Sequence, residues 1–318
     1  MENTVPEPKY LLRNNMGPVH CLSFYLTSTR EHLYAGCSSG NIYIWDLETN
    51  RVAKQFHVGE KDPCLTMLNM NDNHLLVQQK SGSIKMYKSA ESYWEIDREI
   101  HLDNYTFCRS QILSEDVIIV PLKNSNIGLY STQNLDMITT LNCEQISRGK
   151  NLGEVMAIKP LSSDNQQVLI AYEHGLLALW DIRERKVLHY MHIESFPMTL
   201  DFETKNMQGI VGFPSDKLQI FSLLSDKLID KKQITLRTSG TSVTSLRPDT
   251  KICAVGSWNG RIRLYAWKKL QCLAVINEYT DIVYDIVYSH KKVQSYDCKC
   301  LMAAVGLNGS ISLWDLYN

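Results

Sequence analysis

The sequence lacks what a membrane or secreted protein needs. No segment approaches the roughly 20 continuous apolar residues that span a bilayer. Residues Met1 to Lys9 hold acids, prolines and polar groups where a secretory leader would have an apolar run. Excess charge is also missing. Lys and Arg total 33 against 34 Asp and Glu, a formal net charge of −1. That balance excludes the broad basic surface that non-specific nucleic-acid binding requires. The nine cysteines are odd in number and scattered. They read as reduced thiols in the cytoplasm or nucleus, acting as small buried hydrophobes. The closest pair, Cys298-x-Cys300, has no second pair at zinc-site spacing.

Catalytic signatures are absent as well. There is no Gly-rich phosphate loop and no His-Glu metal motif. His189-x-x-His192 lies in a strand-like stretch, where an offset of three sends the rings to opposite faces. The expectation is a protein without catalytic residues, metal or cofactor, hence not an enzyme.

What is present is a repeat. Aliphatic, any residue, aliphatic, aromatic recurs seven times, ending at Trp45, Tyr87, Tyr130, Trp180, Phe221, Tyr265 and Trp314. The spacings are 42, 43, 50, 41, 44 and 49 residues, close to the ~40–45 of a propeller blade. Alternation with period two makes each instance a β-strand, apolar on both sides because each blade is sandwiched between two others. An apolar strand precedes each one, joined by Ser39-Gly40, Ser81-Gly82, His174-Gly175, Asn259-Gly260 or Asn308-Gly309 in five of the repeats. Gly after a small polar residue is hairpin chemistry. Further strands on either side, such as Val19–Tyr25 before and Val52–His57 after, make each unit four-stranded and antiparallel. The seventh repeat has no fourth strand after it, whereas Tyr10-Leu11-Leu12-Arg13 stands unmatched at the start. The spacing therefore predicts an all-β, seven-bladed propeller over residues 9–318, behind a tail of residues 1–8. The N-terminal strand completes the last blade and pairs an otherwise open edge.

Three repeats end in Trp-Asp: Trp45-Asp46, Trp180-Asp181 and Trp314-Asp315. With that dipeptide on that period, the chain resembles the WD40-repeat proteins. The runs Thr106–Leu113 and Gly260–Trp267, with the ending Ile311–Tyr317, are similar to the guanine-nucleotide-binding-protein β-subunit-like protein 1 family, related to ASTRA-associated proteins. That resemblance covers essentially the whole chain. It implies a scaffold that helps stabilise phosphatidylinositol-3-kinase-related kinases together with co-chaperones, in cytoplasm and nucleus. The partners expected are other proteins, not nucleic acid or membrane. A G-protein γ chain is not expected. It requires a long N-terminal helix, and Pro6 and Pro8 break the short stretch before the first strand. The Gly-His dipeptide that commonly opens a WD40 repeat is absent, and Asp216 is the one turn Asp placed to serve its polar network. Apolar packing between blades should therefore carry stability.

Candidate contact residues come from large apolar groups and Arg in turns, where small polar residues are usual. They are Trp258 beside Asn259-Gly260, Phe213-Pro214, Phe107 with Arg109, Phe196-Pro197, and Tyr279. A plain structural reading has each of them tucked against its own blade. Trp180-Asp181-Ile182-Arg183 also matches the Trp-Asp-x-Arg pattern of cullin-ligase substrate receptors, with Arg183 as the adaptor contact. The alternative for Arg183 is a solvated strand end. A peptide or histone-tail reader is a third possibility. Arg261 and Arg263 either pair with acids or line the channel. Segments 144–152 and 290–300 read as loops.

Overall fold

The computed structural model describes residues 6–59, 61–71, 73–90, 93–147, 149, 151–161 and 166–317. Most of the expected tail, residues 1–5, lies outside them, as do residues 148 and 150 of the expected loop 144–152. After β1 (Tyr10–Leu12), the first sheet is β2 (Val19–Leu26), β3 (Glu31–Cys37), β4 (Asn41–Asp46) and β5 (Arg51–His57). The second is β6 (Cys64–Asn71), β7 (His74–Gln79), β8 (Ser83–Ser89) and β9 (Trp94–His101). The third is β10 (Gln111–Ser114), β11 (Val117–Pro121), β12 (Ile127–Ser131) and β13 (Met137–Leu141). A single turn of helix, α1 (Glu144–Ser147), precedes the fourth sheet of β14 (Val155–Leu161), β15 (Gln167–Tyr172), β16 (Leu176–Asp181) and β17 (Lys186–His192). The fifth is β18 (Thr199–Glu203), β19 (Gln208–Gly212), β20 (Lys217–Leu224) and β21 (Lys227–Thr235). The sixth is β22 (Thr241–Leu246), β23 (Ile252–Ser257), β24 (Ile262–Ala266) and β25 (Gln271–Ile276). The seventh holds β26 (Val283–Tyr288), β27 (Met302–Gly306) and β28 (Ile311–Trp314). Its fourth strand is β1, paired antiparallel to β28 with Tyr10 opposite Leu313 and Leu12 opposite Ile311. This is a seven-bladed β-propeller, and the expected N-terminal closure is present.

Burial within a sheet follows strand position. The third strand is buried on both faces, as in β4, β16 and β24. The fourth alternates between half-buried and exposed, as in β5. Five third-to-fourth pairings shift at the repeat aromatic, at Trp45, Tyr130, Trp180, Phe221 and Tyr265, whereas the closing β28–β1 pair runs in continuous register. Such bulges twist an outer edge and discourage stray pairing. Five of the turns between second and third strands use Gly at positive φ, and the β11–β12 turn uses Asn124 and Ser125 instead. At Gly260, with φ +78°, a Cβ would lie 2.2 Å from the Tyr279 carbonyl oxygen.

By contact density the chain divides into two compact units, 1–69 with 89–94 and 242–318, and 70–88 with 95–241. Within the first, polar bonds join first strands of different sheets. The Leu22 N–H donates to the Asp285 carboxylate at 2.8 Å, and Ser242 Oγ to the Val283 carbonyl at 2.6 Å. Within the second, Lys159 Nζ meets Asp201 Oδ1 at 2.6 Å. Arg247 is buried and grips Asp249 in a fork at 2.9 and 2.8 Å, with two further bonds to the carbonyls of Leu316 and Tyr317. It ties the C-terminal segment to the β22–β23 turn.

Segment 290–300 is a largely exposed loop, as read, but it is anchored at defined points. Val293 and Cys298 are fully buried and bridge each other. A short 3-10 turn, Gln294–Tyr296, receives the Glu31 carboxylate on the N–H groups of Gln294 and Ser295. Tyr296 Oη donates to Asn50. The apolar Val and Cys inside a polar-looking stretch are what dock it. Seven of the nine cysteines are buried; Cys300 is half-buried and Cys272 exposed.

Candidate functional site

The Trp-Asp pairs prove structural. Trp45, Trp180 and Trp314 are buried in the apolar clusters. Asp46 accepts the Glu48 N–H and Asp181 the Glu184 N–H, each at 2.8 Å, capping the turn that follows. Asp315 lies 3.8 Å from Lys9. Asp216 uses its backbone carbonyl, which accepts the Leu236 N–H.

Two of the proposed contact residues are corrected by burial. Phe213 turns under the β19–β20 turn into the cluster of Leu200, Phe202, Val211 and Phe221. Tyr279 also points inward. Its hydroxyl donates to the Ala304 carbonyl at 2.6 Å, lies 2.7 Å from Ser312 Oγ and accepts the Ser312 N–H. Trp314 Nε1 in turn donates to Ser312 Oγ at 2.7 Å. Burial pushes the Tyr279 phenol well above its ordinary pKa, with hydrogen bonds from Ser312 opposing. Neither ring can be a contact surface. Apolar packing is thus supplemented here by a polar network that the missing Gly-His dipeptide did not foretell, with Tyr279 at its centre.

Arg263 is buried and donates to Ser257 Oγ at 2.8 Å, whereas Arg261 is exposed and precedes β24. His189 accepts the Leu228 N–H on Nδ1. Arg183 is exposed in the β16–β17 turn.

Phe107, Phe196 and Trp258 are exposed, at 61%, 50% and 43%. Each sits at the end of its own sheet that carries the turn between second and third strands. Trp258 is in that turn. Phe107 and Phe196 are in the connection leaving a fourth strand. Phe196 adopts φ +59° ahead of Pro197, a left-handed conformation that costs a bulky residue roughly 1–2 kcal/mol. Its N–H bonds the Glu173 carbonyl at 2.7 Å, which holds it there.

The connection 102–110 is the most developed of these surfaces. Its even positions, Asn104, Thr106, Cys108 and Ser110, are buried, while Asp103, Tyr105 and Phe107 are exposed and Arg109 half-buried. Most of the inward polar groups are bonded, the buried Ser110 hydroxyl being the exception. Asn104 Nδ2 donates to the Pro121 carbonyl, the Thr106 N–H to the Lys80 carbonyl, and the Cys108 N–H to Thr106 Oγ1. Gln78 completes the clamp. Its side chain donates to the Cys108 carbonyl at 3.2 Å and accepts the Ser110 N–H at 2.7 Å. Outside, Tyr105 meets Phe107 edge-on, ring centroids 5.5 Å apart, and Lys80 Nζ lies 5.2 Å from the Phe107 ring. Lys123 Nζ pairs with Asp103 at 2.5 Å and holds that carboxyl below its usual range. Tyr105 and Lys80 were not among the residues singled out in the sequence. The signal was legible: the aromatics share their period-two face with Asp103 and Arg109, a face that must meet water.

Comparison with known proteins agrees with this geometry. The repeat described as "WD domain, G-beta repeat" matches residues 230–266, from within β21 to the end of β24. Mouse guanine nucleotide-binding protein subunit beta-like protein 1 is 28% identical over 324 residues, 98% of this chain and 97% of that protein. ASTRA-associated protein 1 of Verticillium alfalfae is 20% identical over 383 residues, covering 98% and 93%. The β-propeller domain of Myceliophteria thermophila Cps50 (Swd1) superposes with a TM-score of 0.81 at 16% identity, covering 98% of this chain and 99% of that one, a likeness of fold alone. Repeat, sheet order and relatives converge: the chain is a seven-bladed β-propeller with a WD-repeat match over residues 230–266 and is similar along its length to WD40-type proteins.

Proposed function

We propose that this protein is a non-catalytic scaffold that supports the assembly and stability of phosphatidylinositol-3-kinase-related kinases alongside co-chaperones, in cytoplasm and nucleus. The observation that carries the reading is similarity along the whole chain to a β-subunit-like protein 1 and to an ASTRA-associated protein. A WD40 propeller itself supplies a rigid frame for protein partners. The exposed rings of Phe107, Phe196 and Trp258 suit such contacts, since aromatic anchors dominate binding energy at interfaces. The test is depletion of the protein followed by quantitation of kinase protein and transcript. Kinase protein should fall while transcript holds; unchanged kinase protein would sink the reading.

A second reading, a cullin-ligase substrate receptor, draws on Arg183 standing exposed in its turn. It requires capture of a ligase adaptor that Arg183→Ala abolishes, together with accumulation of a client on depletion.

A further inference from the structure

Segment 290–300 joins β26 to β27 in the seventh sheet and reaches across to the first, where a carboxylate receives it. Glu31, the first residue of β3, accepts the N–H groups of Gln294 and Ser295, the latter at 3.0 Å. The Ser295 hydroxyl is hydrogen-bonded to the same carboxylate, and the charge bearing on it from nearby is that of another acid, Asp46. Beneath this point Val293 and Cys298 are buried with Leu12, Leu47 and Leu301. The latch is apolar below and polar above, and its polar half depends on one anion meeting N–H donors. Ser295 itself is exposed. Lys292 and Lys291 stand three and four positions before it, also exposed. Lys291 bonds the Leu26 carbonyl and Lys292 pairs with Asp297, surface contacts of the kind that hold little energy. Cations at that spacing before an exposed serine form a charge pattern that an acid-lined kinase groove accepts.

We propose that Ser295 is a phosphorylation site whose modification releases segment 290–300 from the first sheet. The Ser295 oxygen attacks the γ-phosphorus of a nucleoside triphosphate held by a basophilic protein kinase. The bond to the leaving diphosphate breaks, and the hydroxyl proton passes to the kinase's base. The phosphate carries a charge of about −1.5 to −2 at neutral pH, set against Glu31 and Asp46. Like charges so placed repel, and the carboxylate is driven from the N–H groups it caps. Lys291 and Lys292 belong to the same segment as the phosphate, so pairing with it adds no bond to the first sheet.

The test treats the full-length chain with the catalytic subunit of cyclic-AMP-dependent protein kinase and Mg-ATP. Tandem mass spectrometry should place phosphate on Ser295, and Ser295→Ala should lose it. Hydrogen exchange over residues 290–300 should run at least ~10-fold faster in the phosphorylated chain, and its melting temperature should drop. Ser295→Asp should move exchange in the same direction by less. In Glu31→Gln the phosphate has no carboxylate to repel, so phosphorylation should add little to exchange already raised by that change. No phosphate at Ser295, or exchange unchanged after phosphorylation, overturns the proposal. Slower exchange overturns it as well, since the phosphate would then be pairing with a cation of the first sheet such as Arg30. Equal acceleration in wild type and Glu31→Gln does the same, because release would not act through that carboxylate. None of these readouts depends on the scaffold role.

Discussion

Tyr279 and Tyr105 hold the same topological position. Each lies in the segment that leaves a fourth strand and leads into the first strand of the next sheet. Tyr279 points inward, and its hydroxyl binds the carbonyl of β27 and the Ser312 side chain of β28. Tyr105 points outward, 62% exposed, against another exposed ring. The difference lies in what else fills the interior. Around Tyr279 the ring itself packs with Val283, Ile286 and Trp314. Around Tyr105 the interior is taken by Asn104, Thr106 and Cys108, all satisfied by local bonds. Topology puts a segment against its sheet; the in-and-out order of residues then decides whether an aromatic serves the fold or the surface.

Four measurements can break or sharpen this contrast. Trp180→Ala sets the scale for a fully buried ring and should cost about 3–5 kcal/mol. A melting temperature equal to wild type would refute its role as a core residue. Tyr279→Phe keeps the ring and removes only the hydroxyl. It leaves the Ala304 carbonyl and Ser312 short of a partner, for a loss of about 1–2 kcal/mol in denaturant unfolding. Glu31→Gln probes the docked segment 290–300. Burial raises the Glu31 carboxyl, but the N–H groups of Ser295 and Gln294 outweigh it and hold the pKa below the ordinary value. A depressed pKa contributes stability above the unfolded value and loses it as pH falls through the folded one. The variant should therefore melt lower than wild type at neutral pH, by about 0.5–1 kcal/mol for a partly exposed group, with the gap closing below about pH 4. A pH-independent gap would break that account. The smallest effect belongs to Tyr105→Ser, expected within about 0.5 kcal/mol of wild type. A loss as large as that of Tyr279→Phe would show that the outward rings serve the fold after all.

Much of the architecture was legible in residue order. The seven aromatics at blade spacing, the Gly-bearing turns and the unmatched Tyr10–Arg13 stretch gave blade number, strand count and closure, because period-two burial and turn chemistry are local properties. The contact residues were legible only in part. Phe107, Phe196 and Trp258 are exposed as expected, but Phe213 and Tyr279 are not. An aromatic in a turn can fold under that turn or away from it, and its immediate sequence does not say which. Tyr105 went unnoticed although its alternating neighbours, Asp103 and Arg109, marked the wet face.

The sequence by itself determined that this chain forms seven four-stranded blades and that its first strand closes the last. Hydrophobic period and glycine position act within a few residues and need no distant partner. Only the tertiary structure decided that Arg247 clamps the carbonyls of Leu316 and Tyr317, about 70 positions along the chain. The same holds for Glu31 anchoring segment 290–300 and for Tyr279 becoming a core hydrogen-bond centre while Tyr105 became surface. Those outcomes depend on which buried polar groups find partners across sheets. Such partners are set by proximity in space, and proximity along the chain does not encode it.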